Sequence, residues 1–187
     1  MNPIKMKVTP KSAVLAIIDF QERMARALPD KVAEKTLKNI MIFLKASQVL
    51  EIPVVVTEHY PKGLGPTVEW LRSKLKNCEM IEKIVFSAAE EKRFFQYLLS
   101  TERKDVILTG IETHVCIYQT ARDLAAAGFN IWVPEDAVAS RTKQNWARGL
   151  ELCKETGAAI TSSEAIIFDM LYQAGTPQFK EIAPLFK

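Results

Sequence analysis

No CxxC pair occurs in this chain, and its three cysteines, Cys78, Cys116 and Cys153, are widely spaced and odd in number. A disulfide framework and a structural zinc site are therefore not expected, and a reducing, cytoplasmic compartment is. Charge of one sign is not concentrated either. Twenty-five Lys and Arg stand against 22 Asp and Glu, a net charge of +3, and the basic residues are scattered. That pattern gives no footprint for nucleic acid or a membrane surface. No apolar run reaches the length of a bilayer span, and "MNPIKMKVTPKS" at the start has no apolar core of leader length, so no leader is expected. Low-complexity segments and internal repeats are also missing.

What is present is ordinary globular composition, 48% hydrophobic and 25% charged over 187 residues. That length suits one domain, residues 1–187, with a substantial core. Short apolar runs alternate with longer amphipathic segments. "AVLAIID" (13–19), "IPVVVTE" (52–58), "KDVILTG" (104–110), "FNIWVP" (129–134) and "AAIT" (158–161) read as strands. "KVAEKTLKNIMIFLKASQVL" (31–50) has helical spacing, "VCIYQTARDLAAAG" closes on Gly128, and "SRTKQNWARGLELCKETG" runs from a capping residue, Ser140, to Gly157. Strands without polar alternation are buried on both faces, and intervening helices imply right-handed crossovers. The expected fold is a three-layer α/β/α sandwich with a mainly parallel central sheet.

In such folds ligands sit beyond the carboxyl ends of the strands. Three reactive side chains fall there. Asp19 ends the first apolar run, Lys83 lies in "MIEKIVFSA", and Cys116 follows "VILTG" at the start of a helix. A thiol at a helix start can become a nucleophile, because the helix dipole favours thiolate. It can equally be a packing cysteine. An aspartate can serve as general base or cap a turn. A lysine can hold a charged partner or snorkel. The loop "DFQERM" after the first strand contains no glycine, so the phosphate turn of a nucleotide-binding domain is not there.

Taken together, "AIIDFQ", "EKIVFSA" and "GIETHVCIYQTARDL" resemble, in order, the three signature blocks of the isochorismatase-like cysteine hydrolases. The resemblance extends from about Ala13 to about Thr161, with "EDAVASR" (135–141) and "TSSEAIIF" (161–168) fitting later segments. "TEHYPKGLGPTV" (57–68) and "GIETHVC" look like the branch of small isochorismatase-domain proteins of unassigned substrate.

The resemblance implies a catalytic triad of Asp19, Lys83 and Cys116. It also implies a cis peptide at Ile111–Glu112 that aims the N–H groups of Val115 and Cys116 at an oxyanion. Phe20, Gln21, His59, Tyr60, Phe86 and Thr113 are the expected substrate-binding residues. Nicotinamide-hydrolysing members carry an Asp-x-His metal site with a further histidine. Here Glu58 and His59 are adjacent and His114 is the only other histidine, so no metal and no cofactor are expected. Members that cleave isochorismate do without this cysteine, so Cys116 points to an amide, ureido or related C–N substrate attacked through a thioester. The other reading is a catalytically silent binding or scaffold protein that keeps the fold. Expected partners are a small-molecule substrate and copies of the chain itself. His114, two residues before the thiol, is read as a pocket or interface residue, because residues two apart on a helix do not share a face.

Overall fold

The computed structural model describes residues 7–76 and 78–187. The first six residues of the amino-terminal segment considered above lie outside it.

Six strands form the path of one sheet: β1 (Ala13–Ile18), β2 (Val54–His59), β3 (Glu79–Lys83), β4 (Asp105–Ile111), β5 (Asn130–Pro134) and β7 (Ala159–Thr161). Their order is β3-β2-β1-β4-β5-β7, and a short seventh strand, β6 (Val138–Ala139), pairs with the end of β4. Every pairing between these strands is parallel. β1 sits at the centre, with Ile18 in register with Thr57 on one side and Gly110 on the other. The order reverses between β1 and β4, which makes a crevice at their carboxyl ends.

All six β1 residues are buried, and the pleat divides them between two cores. Leu15 and Ile17 face a cluster with Ile40, Phe43 and Leu44 of α2 (Asp30–Leu50) and Ile166, Ile167 and Met170 of α8 (Ser163–Leu171). Val14, Ala16 and Ile18 face the other, with Phe94 and Leu98 of α5 (Lys92–Ser100), Leu124 of α6 (Tyr118–Ala126), and Leu150 and Cys153 of α7 (Lys143–Glu155). These are the three expected layers. Smaller helices α1 (Glu22–Arg26), α3 (Pro61–Leu64) and α4 (Glu69–Arg72) lie in the loops after β1 and β2, and α9 (Pro177–Ile182) seats Ile182 in the α2 core.

Two boundaries differ from the sequence reading. α7 starts at Lys143, capped by the Thr142 hydroxyl, which accepts the Asn145 N–H. Ser140 does not cap it; the residues before it form β6, and the Ser140 hydroxyl meets His114 Nδ1 at 3.0 Å. The segment around Lys83 reads as followed by a helix from about Ser87, but Lys83 is the last residue of β3 itself, and a 3₁₀ turn (Ala88–Glu90) intervenes before α5.

Candidate active site

β1 ends with a backbone turn into the left-handed region. Asp19 has φ of 51°, a conformation aspartate tolerates better than most residues. The turn aims its carboxylate sideways, towards β2 and β3. Oδ1 accepts the Thr57 hydroxyl at 2.7 Å, and Oδ2 lies 2.7 Å from Lys83 Nζ. Both side chains of the ion pair are almost wholly buried, at 0% and 1% exposure. The Lys83 ammonium also donates to the Val85 and Phe86 carbonyls, at 3.1 and 3.0 Å. A buried charge needs such complete pairing, since desolvation would otherwise drive it out or neutralise it.

The third group arrives from β4. The Ile111–Glu112 peptide is cis, as the resemblance implies. The chain then makes a π-helical turn, Thr113–Ile117, before α6 begins, whereas the sequence reads as one ordinary helix. In that turn the Val115 and Ile117 N–H groups both donate to the Glu112 carbonyl, at 3.1 and 3.2 Å. This corrects one expectation. The Val115 N–H is engaged within the turn rather than free for an oxyanion. Cys116 is 5% exposed, and its thiol is pushed up to about 12, first by burial and then by the Asp19 carboxylate, with Lys83 opposing. The helix-dipole argument for a thiolate is therefore outweighed. With desolvation and a neighbouring negative charge acting together, the resting group is the neutral thiol.

Asp19 and Cys116 line one cavity of about 390 Å³ with Met24, Ala27, His59, Leu64, Phe86, Glu112, Val115 and Arg141. The His59 ring stacks on Phe86 with centroids 5.2 Å apart. Burial, and then the Lys83 charge, lower its pKa, so the ring is neutral at pH 7. Its Nδ1 finds no hydrogen-bond partner among the described residues. Glu112 is buried, and its Oε1 accepts the Arg141 N–H at 3.1 Å and pairs with Arg141 Nε at 2.8 Å.

The expected substrate residues separate. His59 and Phe86 line the cavity; Phe20, Gln21, Tyr60 and Thr113 do not. Phe20 is a core residue beneath it. Gln21 is a strap: its amide donates to the His59 and Gly65 carbonyls and accepts the His59 N–H, at 3.1, 2.6 and 2.7 Å. Tyr60 is exposed and lines a separate depression with Lys62 and Ile84. Thr113 is fully buried and packs against Gly149 of α7. Ile111, also fully buried, closes β4 against Ala139. His114 turns away to Ser140. Glu58 turns to the Thr67 N–H at 2.6 Å, while its neighbour His59 faces the cavity. Among the described residues no group of His, Cys, Asp and Glu could hold a metal ion.

Sequence reasoning missed Thr57, the Glu112 carboxylate, Arg141 and the apolar wall of Met24, Ala27 and Leu64. Thr57 could have been found from strand register. Arg141 had been named only as the end of "EDAVASR", a segment that fits the resemblance.

A family model, the isochorismatase domain, matches residues 12–165. The chain belongs to the isochorismatase family. Among isochorismatase relatives, the secreted isochorismatase effector Isc1 of Phytophthora sojae is 37% identical over 97% of this chain and 87% of its own length. A solved structure described as the MAR1 ribonuclease of Caenorhabditis elegans is 34% identical, with a TM-score of 0.85 over 96% of this chain and 91% of that one. The YcaC gene product of Escherichia coli, described as an octameric hydrolase of unknown specificity, shares the isochorismatase fold. Its TM-score is 0.90 at 19% identity, over 100% of this chain and 91% of that one. The hydrolase fold and its parallel sheet are thus common to this chain and its family. No helix among the described residues is long and apolar enough to cross a membrane.

Proposed function

We propose that the protein is a cysteine hydrolase acting on a small amide, ureide or related C–N substrate through a thioester on Cys116. One observation carries this reading: a fully buried carboxylate, held by an ammonium at 2.7 Å, lines the same cavity as a buried thiol. As the thiol is neutral at rest, attack and proton transfer go together. Asp19 takes the Cys116 proton while Sγ bonds to the substrate carbon. The Cys116 N–H, the remaining donor of the expected pair, stabilises the oxyanion. The C–N bond breaks and the leaving nitrogen takes the proton from Asp19. A water then attacks the thioester, giving one proton to Asp19, which returns it to the departing Sγ. The balance is amide plus water to acid plus amine. Lys83 holds the Asp19 carboxyl in place through both proton transfers.

The family membership supports a hydrolase, and the small, largely apolar cavity suits a metabolite-sized ligand. RNA cleavage, suggested by the name of the worm relative, fits less well. A strand needs a tracked row of basic and stacking groups, and among the described residues Arg141 is the one cation lining this cavity. The octameric E. coli relative supports self-association, read as a homo-oligomer here. Three free cysteines fit a cytoplasmic setting, and the whole chain acts as one domain.

Intact-mass trapping with a panel of small amides and ureides tests the reading. A Cys116-dependent acyl adduct, lost in Cys116→Ala, is expected. No adduct and no turnover across the panel would sink it, in favour of a silent binding protein.

A further inference from the structure

Side-chain hydrogen-bond acceptors in the catalytic cavity are few, and among the described residues one is left open. Asp19 Oδ1 takes the Thr57 hydroxyl and Oδ2 pairs with Lys83 Nζ, both at 2.7 Å. His59 Nδ1 is sealed from solvent. Met24, Ala27, Leu64, Phe86 and Val115 bring no polar side-chain atom but a thioether. Glu112 differs from all of these. Its Oε1 accepts twice, from the Arg141 backbone N–H at 3.1 Å and from Arg141 Nε at 2.8 Å. Its Oε2 accepts no hydrogen bond among the described residues and, unlike His59 Nδ1, is not sealed. The side chain is 6% exposed and lines the cavity, so the surface that Oε2 keeps is turned to a ligand there.

The group is also held still. The Glu112 carbonyl accepts the Val115 and Ile117 N–H groups, at 3.1 and 3.2 Å, and the two Arg141 contacts fix the other end of the residue. A carboxylate oxygen in a nearly dry site costs free energy unless a donor reaches it. Arg141 is spent on Oε1, so the donor for Oε2 comes from the ligand. We propose that Glu112 Oε2 is a specificity-determining acceptor that reads an N–H on the substrate. It selects primary and secondary amides or ureides. It rejects esters and fully alkylated amides, which leave the oxygen unpaired. The inference rests on the hydrolase reading for the reaction but not for the binding.

The test is equilibrium binding to Cys116→Ala protein, which can form neither the thioester nor a thiol adduct at that position. Hexanamide and 2-heptanone share one outline and differ only by an NH2 against a CH3. Hexanamide should bind the more tightly, although it is the less apolar. Glu112→Gln then reverses the polarity of the group. The glutamine oxygen stays on the two Arg141 donors, so its NH2 takes the place of Oε2 and faces the ligand N–H. In Cys116→Ala/Glu112→Gln the ratio of amide to ketone affinity should therefore fall about tenfold or more. If Glu112 served only to hold Arg141, both compounds would weaken together and the ratio would stay. A ratio unchanged within about twofold, a ketone that binds Cys116→Ala protein more tightly than the amide, or undetectable binding of both at millimolar concentration would each overturn it. Acylation of the wild-type protein is scored separately. A Glu112-dependent preference without any Cys116 adduct would remove the hydrolase reading and leave the acceptor standing.

Discussion

Lys83 Nζ lies 2.7 Å from Asp19 Oδ2, with both side chains buried beneath the crevice where the sheet order reverses. The pair comes from strands that are not neighbours: Asp19 follows β1 and Lys83 ends β3, with β2 between them. Thr57 of that middle strand supplies the remaining bond to Asp19.

Removing one partner leaves a buried charge uncompensated. Lys83→Met should lose about 3–5 kcal/mol of stability. Adding Asp19→Asn should recover much of that, because the double variant buries no net charge. Neither protein should turn over substrate. Urea denaturation of the two singles and the double checks the coupling; additive losses would mean that the two charges act independently.

The Cys116 thiol is raised by burial and by Asp19, and lowered by Lys83. Alkylation of the resting protein at neutral pH should therefore be slow and should climb only above pH 9. The apparent pKa of that profile should move down in Asp19→Asn and up in Lys83→Met. Peptide mapping of iodoacetamide labelling against pH reads all three. A wild-type profile already at its plateau by pH 7 would contradict the geometry.

Buried Cys116 and Cys153 are both pushed up to about 12. An unfolded thiol releases its proton near pH 9, whereas the folded one keeps it. Above pH 9 the unfolded chain therefore binds fewer protons, and stability falls as pH rises. The stabilisation is full below pH 9 and is lost on the way to pH 12, by about 1.4 kcal/mol per pH unit for each thiol. Cys153→Ala should flatten this decline by roughly half of the thiol contribution, measured by denaturant midpoints between pH 8 and pH 11. An unchanged slope would mean that Cys153 ionises alike in both states.

A fourth prediction lies outside the cavity. A Cβ at Gly149 of α7 would come within 2.6 Å of the His114 nitrogen and 2.7 Å of the Thr113 carbonyl carbon. The glycine lets the helix seat directly against the turn that carries Cys116. Gly149→Ala should cost about 1–3 kcal/mol by overpacking and lower kcat by shifting that turn. Thermal denaturation with a turnover assay separates the two effects, and full activity with native stability would show that α7 does not position the nucleophile turn.

The layers and the parallel sheet were legible in the chain because unbroken apolar runs such as "AVLAII" demand cover on both faces. Asp19, Lys83 and Cys116 were legible as candidates because each stands at or just beyond such a run. Residue spacing could not decide what those groups meet. Phe20 and Thr113 looked like pocket residues, yet the direction of each side chain sends them into packing. Arg141 had no role in the sequence reading beyond ending "EDAVASR", yet the chain after β6 brings it alongside Glu112.

The amino-acid order by itself determined five of the seven strands, since burial and periodicity are local demands; the half-exposed β3 and the two-residue β6 lack an unbroken apolar run and were not legible. The tertiary structure alone decided the protonation of the thiol and the pairing of Arg141 with Glu112. Those properties arise from desolvation and from partners tens of residues away in the chain, and neither exists until the strands assemble.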